Sequence, residues 1–375
     1  MENITFVCRL CSQESFQQPE FVINGAARSV NDLPKLGFEG QDKVTLNLMR
    51  CGYCGHFQLA DPPVATWKYA VTAAGLSAEM RAFRLSQFRE FKARFALSDG
   101  GQIWEIGTGE GLFLDILKAA GFDPIGLEAS EELVKLGNEK GRRMEIGHPQ
   151  DGSLADKRIK AFVSINFLEH TTRPIEFLRR LREACGPNAV GLIEVPDFSK
   201  DLSLNRSHDL VAEHLSYFTE DTLRLTLRLA GFEVIETRSV WGGDDVAAMV
   251  RLLPKVDLTG WEKRDPAFAA LKDFCENPEN APLALWGASH QALTLLAMSG
   301  RHSVVVIADS SPRKQGRQDP AWGIPIVSPK QMLELNPKAV LIMAAGYSKE
   351  VAKTLRELGF KGRAAILADG KLEEI

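Results

Sequence analysis

No stretch of this 375-residue chain approaches the ~20 consecutive apolar residues that a bilayer-spanning helix needs. The N-terminus, MENITFVCRL, lacks a basic segment followed by an apolar run, so no secretory signal is read there. Positive charge is in slight deficit, with 45 Lys and Arg against 49 Asp and Glu, a formal net charge of −4. That balance argues against nucleic-acid or anionic-membrane partners, which favour a basic surface. Internal repeats and low-complexity tracts are also missing. These absences leave a cytoplasmic protein as the expectation; a monomer or weak homo-oligomer is expected beside it.

What is present is ample material for packed cores: 45% hydrophobic and 25% charged residues, the proportions of an average globular protein. The length exceeds one ordinary domain, and two or three are expected.

Of six cysteines, four are paired by spacing, Cys8 with Cys11 and Cys51 with Cys54. Two residues between cysteines let both thiolates of a tight turn face one ion, and two such hooks supply the tetrahedral four-sulfur shell that zinc prefers. About forty residues separate the hooks, longer than usual for such sites. A closed sulfur shell keeps no position for water, so the metal is expected to be structural, with His56 outside the ligand set. A redox role fits less well, because neither pair opens a helix after a strand. Cys185 and Cys275 read as ordinary buried or half-buried side chains among helix-like residues.

Residues 1–65 have weak periodicity and read as this small zinc-binding module. From Ala78 the pattern AEMRAFRLSQFREFKARFAL is helical, with apolar residues returning every three or four positions. Strand-like and helix-like segments then alternate: IWEIG, GLFLDILKAAG, DPIGLEA, EELVKLGNEKG, AFVSIN, IEFLRRLREACG, AVGLIEVP. Alternation of this kind means parallel strands joined by helical crossovers. A charged, proline-containing linker around Leu253–Asp265 precedes a second alternation, from PLALWGAS to KEVAKTLRELGFKG. The α/β reading is therefore a module at 1–65, a Rossmann-like domain at 66–255 and a second Rossmann-like domain at 256–375.

Glu105-Ile-Gly-Thr-Gly-Glu-Gly111 lies between a strand and a helix. Gly107, Gly109 and Gly111 allow a sharp turn and close backbone approach to a ligand near a helix N-terminus, which dinucleotides exploit as well. Two carboxylates tip the balance toward S-adenosylmethionine. Glu105 would meet the cationic amino-acid part of that donor and repel a pyrophosphate; Glu128, ending the next strand, is placed to accept hydrogen bonds from a ribose diol. Asn166, after AFVSIN, completes the expected cofactor set. The turn Gly287-Ala288-Ser289 has a single glycine and is a weaker phosphate or substrate site.

Two histidine clusters fall past the C-terminal ends of expected parallel strands, where open α/β sheets bind ligands. One is Asn166-Phe-Leu-Glu-His170, the other His208-Asp-Leu-Val-Ala-Glu-His214-Leu-Ser-Tyr-Phe-Thr. A neutral imidazole with an adjacent carboxylate is a competent base, although Glu-His pairs often serve neither catalysis nor binding. Asp244 and Asp245, after Gly242-Gly243, read as turn residues.

Together these pieces resemble the sugar C-methyltransferases that make methyl-branched deoxysugars. CRLC and CGYCG match that family's zinc hooks, EIGTGEG its cofactor loop, and EHLSYFT its catalytic Glu-His segment. WGGDDVAAMVR, LWGASHQALTLL and ADSSPRKQGRQDPAWGIPIVSP match later stretches. The resemblance runs end to end and implies a class I S-adenosylmethionine-dependent methyltransferase domain, with a structural zinc module before it and a C-terminal domain that closes over a nucleotide. It implies a nucleotide-linked 4-keto deoxysugar as substrate, His214 as base, Glu213 as its partner, His170 as a second active-site histidine and Tyr69 as an aromatic contact. Val211 departs from the family, which commonly has tyrosine three residues before the catalytic histidine. His208 or Tyr217 takes that role, or the substrate differs.

Overall fold

The computed structural model describes residues 2–29, 43–63, 76–254, 256–299, 303–368 and 371–375. Two compact units divide the chain, Met1–Lys255 and Val256–Ile375.

The first unit opens with strands β1 (Ile4–Val7) and β2 (Glu14–Gln17), paired antiparallel, followed by β3 (Phe21–Ala27), β4 (Lys43–Arg50) and β5 (Phe57–Leu59). Helix α1 (Ala78–Arg94) leads into β6 (Gly101–Ile106), α2 (Leu112–Ala119), β7 (Phe122–Glu128), α3 (Glu131–Glu139), β8 (Met144–Ile146) and β9 (Ile159–Ile165). Then come α4 (Pro174–Ala184), β10 (Cys185–Pro196), α5 (Phe198–Leu204), β11 (Ser216–Tyr217), α6 (Glu220–Leu229), β12 (Phe232–Val240) and β13 (Asp245–Leu252).

Among the described residues the main sheet runs β12-β13-β10-β9-β6-β7-β8. β13 is antiparallel to both neighbours and the other pairs are parallel. Strands buried on both faces explain the apolar runs in the sequence. Alternate residues go to opposite layers: Trp104 and Ile106 pack in one cluster with Phe177 and Leu181 of α4, Ile103 in the other with Phe88 and Phe91 of α1. Helices α1, α3 and α6 start at Ser77, Ser130 and Thr219, whose side chains accept a first-turn N–H. α2 differs, opening at Gly111 with no side-chain cap. The chain order reverses between β6 and β9, which places a crevice beyond their C-terminal ends.

A second sheet, β11-β5-β4-β3, is antiparallel throughout. β5, β8 and β11 have only two or three residues and β3 has no buried residue, which is why periodicity did not reveal them. Cys185 begins β10 rather than lying in a helix, and Asp245 is the first residue of β13 rather than a turn residue.

The second unit contains α7 (Trp261–Arg264), α8 (Pro266–Glu276), β14 (Leu283–Trp286), α9 (His290–Ser299), β15 (Val304–Ala308), β16 (Arg317–Gln318) and β17 (Pro325–Val327). α10 (Pro329–Glu334), β18 (Ala339–Ile342), α11 (Ser348–Glu357), β19 (Arg363–Ala368) and β20 (Lys371–Glu374) follow. Its sheet runs β16-β17-β15-β14-β18-β19-β20, parallel except at the two edge strands, with its own switch point beside β14.

Candidate active site and sulfur centre

The four hook cysteines converge. Their sulfurs all lie within 4.8 Å of one another. Contacts of 3.5 Å cross between hooks, Cys8 to Cys54 and Cys11 to Cys51. That is far beyond the ~2.05 Å of a disulfide and near the ~3.8 Å edge of a tetrahedron with 2.3 Å metal–sulfur bonds. Gly55, at φ +75°, lets its N–H return to the Cys51 carbonyl at 2.9 Å and closes the second hook. Burial pushes the Cys8 thiol up and the Cys54 thiol up to about 11, while hydrogen bonds from the Cys54 and Tyr53 backbone outweigh burial and hold Cys51 down; a cation among the sulfurs would favour their thiolates. The cluster therefore fits a tetrahedral metal. His56 stands apart from it, buried with its ring 5.2 Å from Phe218 and both nitrogens without a partner among the described residues.

This module reaches the crevice directly. β11 pairs with β5, Ser216 opposite Gln58 and Tyr217 opposite Phe57. The Leu59 N–H donates to the Leu215 carbonyl at 3.2 Å, and the Leu215 N–H to the Glu169 carbonyl at 2.9 Å. Arg9, inside the first hook, donates to the Thr172 and Leu59 carbonyls. Cys8 and Cys51 share one apolar cluster with Leu168 and Phe218.

At the cofactor turn, Gly107, Gly109 and Gly111 all adopt positive φ, 77°, 57° and 79°. A Cβ on Gly107 would lie 2.1 Å from the Phe167 ring. Glu105 is almost fully buried, and the Thr108 hydroxyl donates to it at 2.5 Å. Burial pushes its carboxyl up to about 8, against the pull of Thr108 and Arg84. The Glu128 carboxylate accepts the N–H groups of Gly109 at 2.9 Å and Ser130 at 3.0 Å, with lone pairs to spare for a diol. Asn166, at φ 48°, follows the last residue of β9 and donates its N–H to the Glu194 carbonyl. Three left-handed glycines, an uncapped helix start and two carboxyls at neighbouring strand ends fit a donor with a cationic amino-acid end and a ribose.

The histidines meet at the same end of the sheet. Ligating atoms of Glu169, His170 and His214 lie within 4.8 Å of one another. The His170 Nδ1 is 2.8 Å from the Glu213 carbonyl oxygen, which makes Nδ1 the protonated nitrogen and leaves Nε2 bare. The two imidazoles meet edge to face, centroids 4.9 Å apart. Burial and the neighbouring His170 press His214 down to about 3, and burial lowers His170 as well. The Glu213 carboxylate accepts the Ser29 hydroxyl at 2.5 Å.

Of the remaining expected residues, Tyr217 adjoins this group, its ring centroid 6.2 Å from that of His214. His208 is exposed beside Asp209. The Tyr217 side chain is buried, and its hydroxyl accepts the Val211 N–H and donates to the Val211 carbonyl, both at 3.0 Å. Tyr69 lies outside the described residues.

Sequence reasoning missed the polar cluster behind the crevice. Arg84 on α1 pairs with Glu194 of β10 at 2.5 Å, both buried, and Gln87 bridges them. Asp245, also buried, is pushed up to about 7 by its burial and by Glu194. The available signal was a lone carboxylate within the apolar strand GLIEVP, which requires a cation brought by another element.

In the second unit, a cavity of about 360 Å³ lies at the switch point, lined by Gly287, Ser289, Asp309, Lys314 and Tyr347 among others. Asp309 accepts the Ala288 N–H and the Lys314 ammonium, each at 2.9 Å.

The family model for a methyltransferase domain matches residues 80–237, and that for a C-methyltransferase C-terminal domain matches residues 267–368. The C-methyltransferase NovU of Streptomyces niveus is 24% identical over 300 residues, 70% of this chain and 71% of that protein. A probable S-adenosylmethionine-dependent methyltransferase of Mycolicibacterium smegmatis is 27% identical over 155 residues, 40% of this chain and 59% of its own length. A methyltransferase structure from Aquifex aeolicus, 18% identical, superposes with a TM-score of 0.39 over 47% of this chain and 94% of that one. With a methyltransferase domain on the glycine-turn sheet and a C-methyltransferase C-terminal domain after it in sequence, the chain is an S-adenosylmethionine-dependent methyltransferase that is similar to the C-methyltransferase NovU.

Proposed function

We propose that this enzyme methylates carbon beside the carbonyl of a nucleotide-linked 4-keto deoxysugar. The observation that carries the reading is the ring of His214, tied by no hydrogen bond to a described residue and set against His170 at the crevice. The carbonyl acidifies the neighbouring C–H, and a desolvated neutral imidazole is the group to remove that proton. The electron pair of the broken C–H bond becomes the enolate, which attacks the donor's methyl. Bound S-adenosylmethionine supplies an electrophilic methyl on a cationic sulfur. Glu105, Glu128, Asn166 and the three glycines hold it, and Glu213 steadies the base segment through Ser29. The four cysteines hold a structural zinc, residues 1–65 form its module, and residues 256–375 receive the nucleotide.

The name of the similar C-methyltransferase NovU denotes methyl transfer to carbon, which supports the carbon acceptor. A second reading, methylation of another small metabolite at carbon, nitrogen or oxygen, draws on Val211, which presents no hydroxyl, and on Tyr217, whose hydroxyl is engaged.

Incubation with thymidine-diphosphate-4-keto-6-deoxyglucose in heavy water tests the proposal. The enzyme is expected to exchange deuterium into the carbon beside the carbonyl and, with the donor, to methylate it. The His214→Asn variant should lose both activities while keeping donor affinity. Near-normal turnover by that variant would remove His214 from the role of base.

A further inference from the structure

Glu169 stands in the turn after β9 with 1% of its surface exposed. Apart from its own backbone N–H, neither carboxyl oxygen has a hydrogen-bond partner among the described residues. A buried acid group without partners is retained at a cost, and at an active site such a group is a candidate for function. Its Oε1 lies 3.8 Å from the bare Nε2 of His170, and its carboxyl is grouped within 4.8 Å with the ring nitrogens of both histidines. The other ionisable groups facing it are acidic, Asp245 of β13 and Glu194 of β10, the latter already paired with Arg84.

We propose that Glu169 is a positioning residue of the catalytic centre, whose carboxylate offsets the positive charge formed on His214 when that ring takes the substrate's proton. The inference rests on His214 as base. Burial, then Asp245 and Glu194, push the carboxyl up to about 8, while burial presses the His214 ring down to about 3. Each group alone is thus held neutral. Side by side, a protonated ring and an ionised carboxyl relieve both costs through one ion pair. For the charges to balance, Glu169 first gives its carboxyl proton to water while the His214 ring stays neutral; the substrate's proton then leaves carbon for the ring, its electron pair stays in the enolate, and the ring later returns that proton to water.

The test is a pH titration of the His170 and His214 ring C–H resonances in the zinc-loaded full chain, wild type against Glu169→Gln, assigned with His170→Asn and His214→Asn. The isosteric amide is expected to lower the apparent midpoint of the ring pair at least tenfold in proton affinity. Carbon–proton exchange by Glu169→Gln should fall at least tenfold with donor affinity unchanged, and Glu169→Asp should recover part of both effects. Superimposable ring titrations in wild type and Glu169→Gln overturn the proposal; should the amide variant not fold, superimposable curves in Glu169→Asp do so. A second divalent ion bound by wild type and lost in Glu169→Gln also overturns it, by making the trio a metal site. Ring titration needs no acceptor, so a wrong sugar leaves this test intact. Normal turnover by His214→Asn would instead remove the base assignment itself.

Discussion

Glu105 and Glu128 end neighbouring parallel strands, yet their surroundings ask different things of them. Glu128 is held by two backbone N–H groups, whereas Glu105 is sealed in with a hydroxyl and carries its proton up to about pH 8. A cationic donor favours the ionised form, so binding below pH 8 must release that proton. The sign follows from linkage: affinity for S-adenosylmethionine should rise with pH between 6 and 7.5, by up to about tenfold per unit. Calorimetry in buffers of different ionisation enthalpy should show the proton release, and Glu105→Gln should flatten the slope. A pH-independent affinity in the wild type would contradict this role. At this scale the glycine turn was readable in the sequence, because three closely spaced glycines bounded by a strand and a helix are a local signal. The solitary carboxyl of Glu169 was not, since its burial is made by β10, β13 and the segment before β11, all distant in sequence.

At the scale of elements, Tyr217 fastens β11 to the turn that begins at Val211. Tyr217→Phe should remove both hydrogen bonds and leave the half-buried Val211 N–H wanting, while the Val211 carbonyl keeps the His214 N–H, a loss of about 1–3 kcal/mol visible in urea unfolding. Turnover should fall with the base segment loosened, and donor affinity should hold. Undiminished stability with weakened acceptor binding would instead make the hydroxyl a substrate contact. The alternation of strands and helices was legible because parallel strands buried on both faces are written as apolar runs. The docking of β11 on β5 was not. A two-residue strand has no periodicity, and its partner β5 has only three residues.

At the scale of the whole molecule, the sulfur centre and the methyltransferase sheet belong to one compact unit, while the second unit has its own cores. Elemental analysis of unstripped protein should find one zinc per chain. A strong chelator should lower the unfolding midpoint of the first unit and leave that of the second nearly unchanged, because metal affinity at such sites is folding free energy. Well under one zinc per chain, or unfolding indifferent to chelation, would make the cysteine group an unmetallated cluster.

The strand Ser216–Tyr217 lies against Phe57–Gln58, a few residues past the second cysteine hook. If the hooks hold zinc and His214 is the base, as proposed, a cell short of zinc would do more than weaken a peripheral fold. It would blunt the proton-pulling end of the enzyme before the donor cradle, so that the protein could go on holding its methyl donor with no means of spending it.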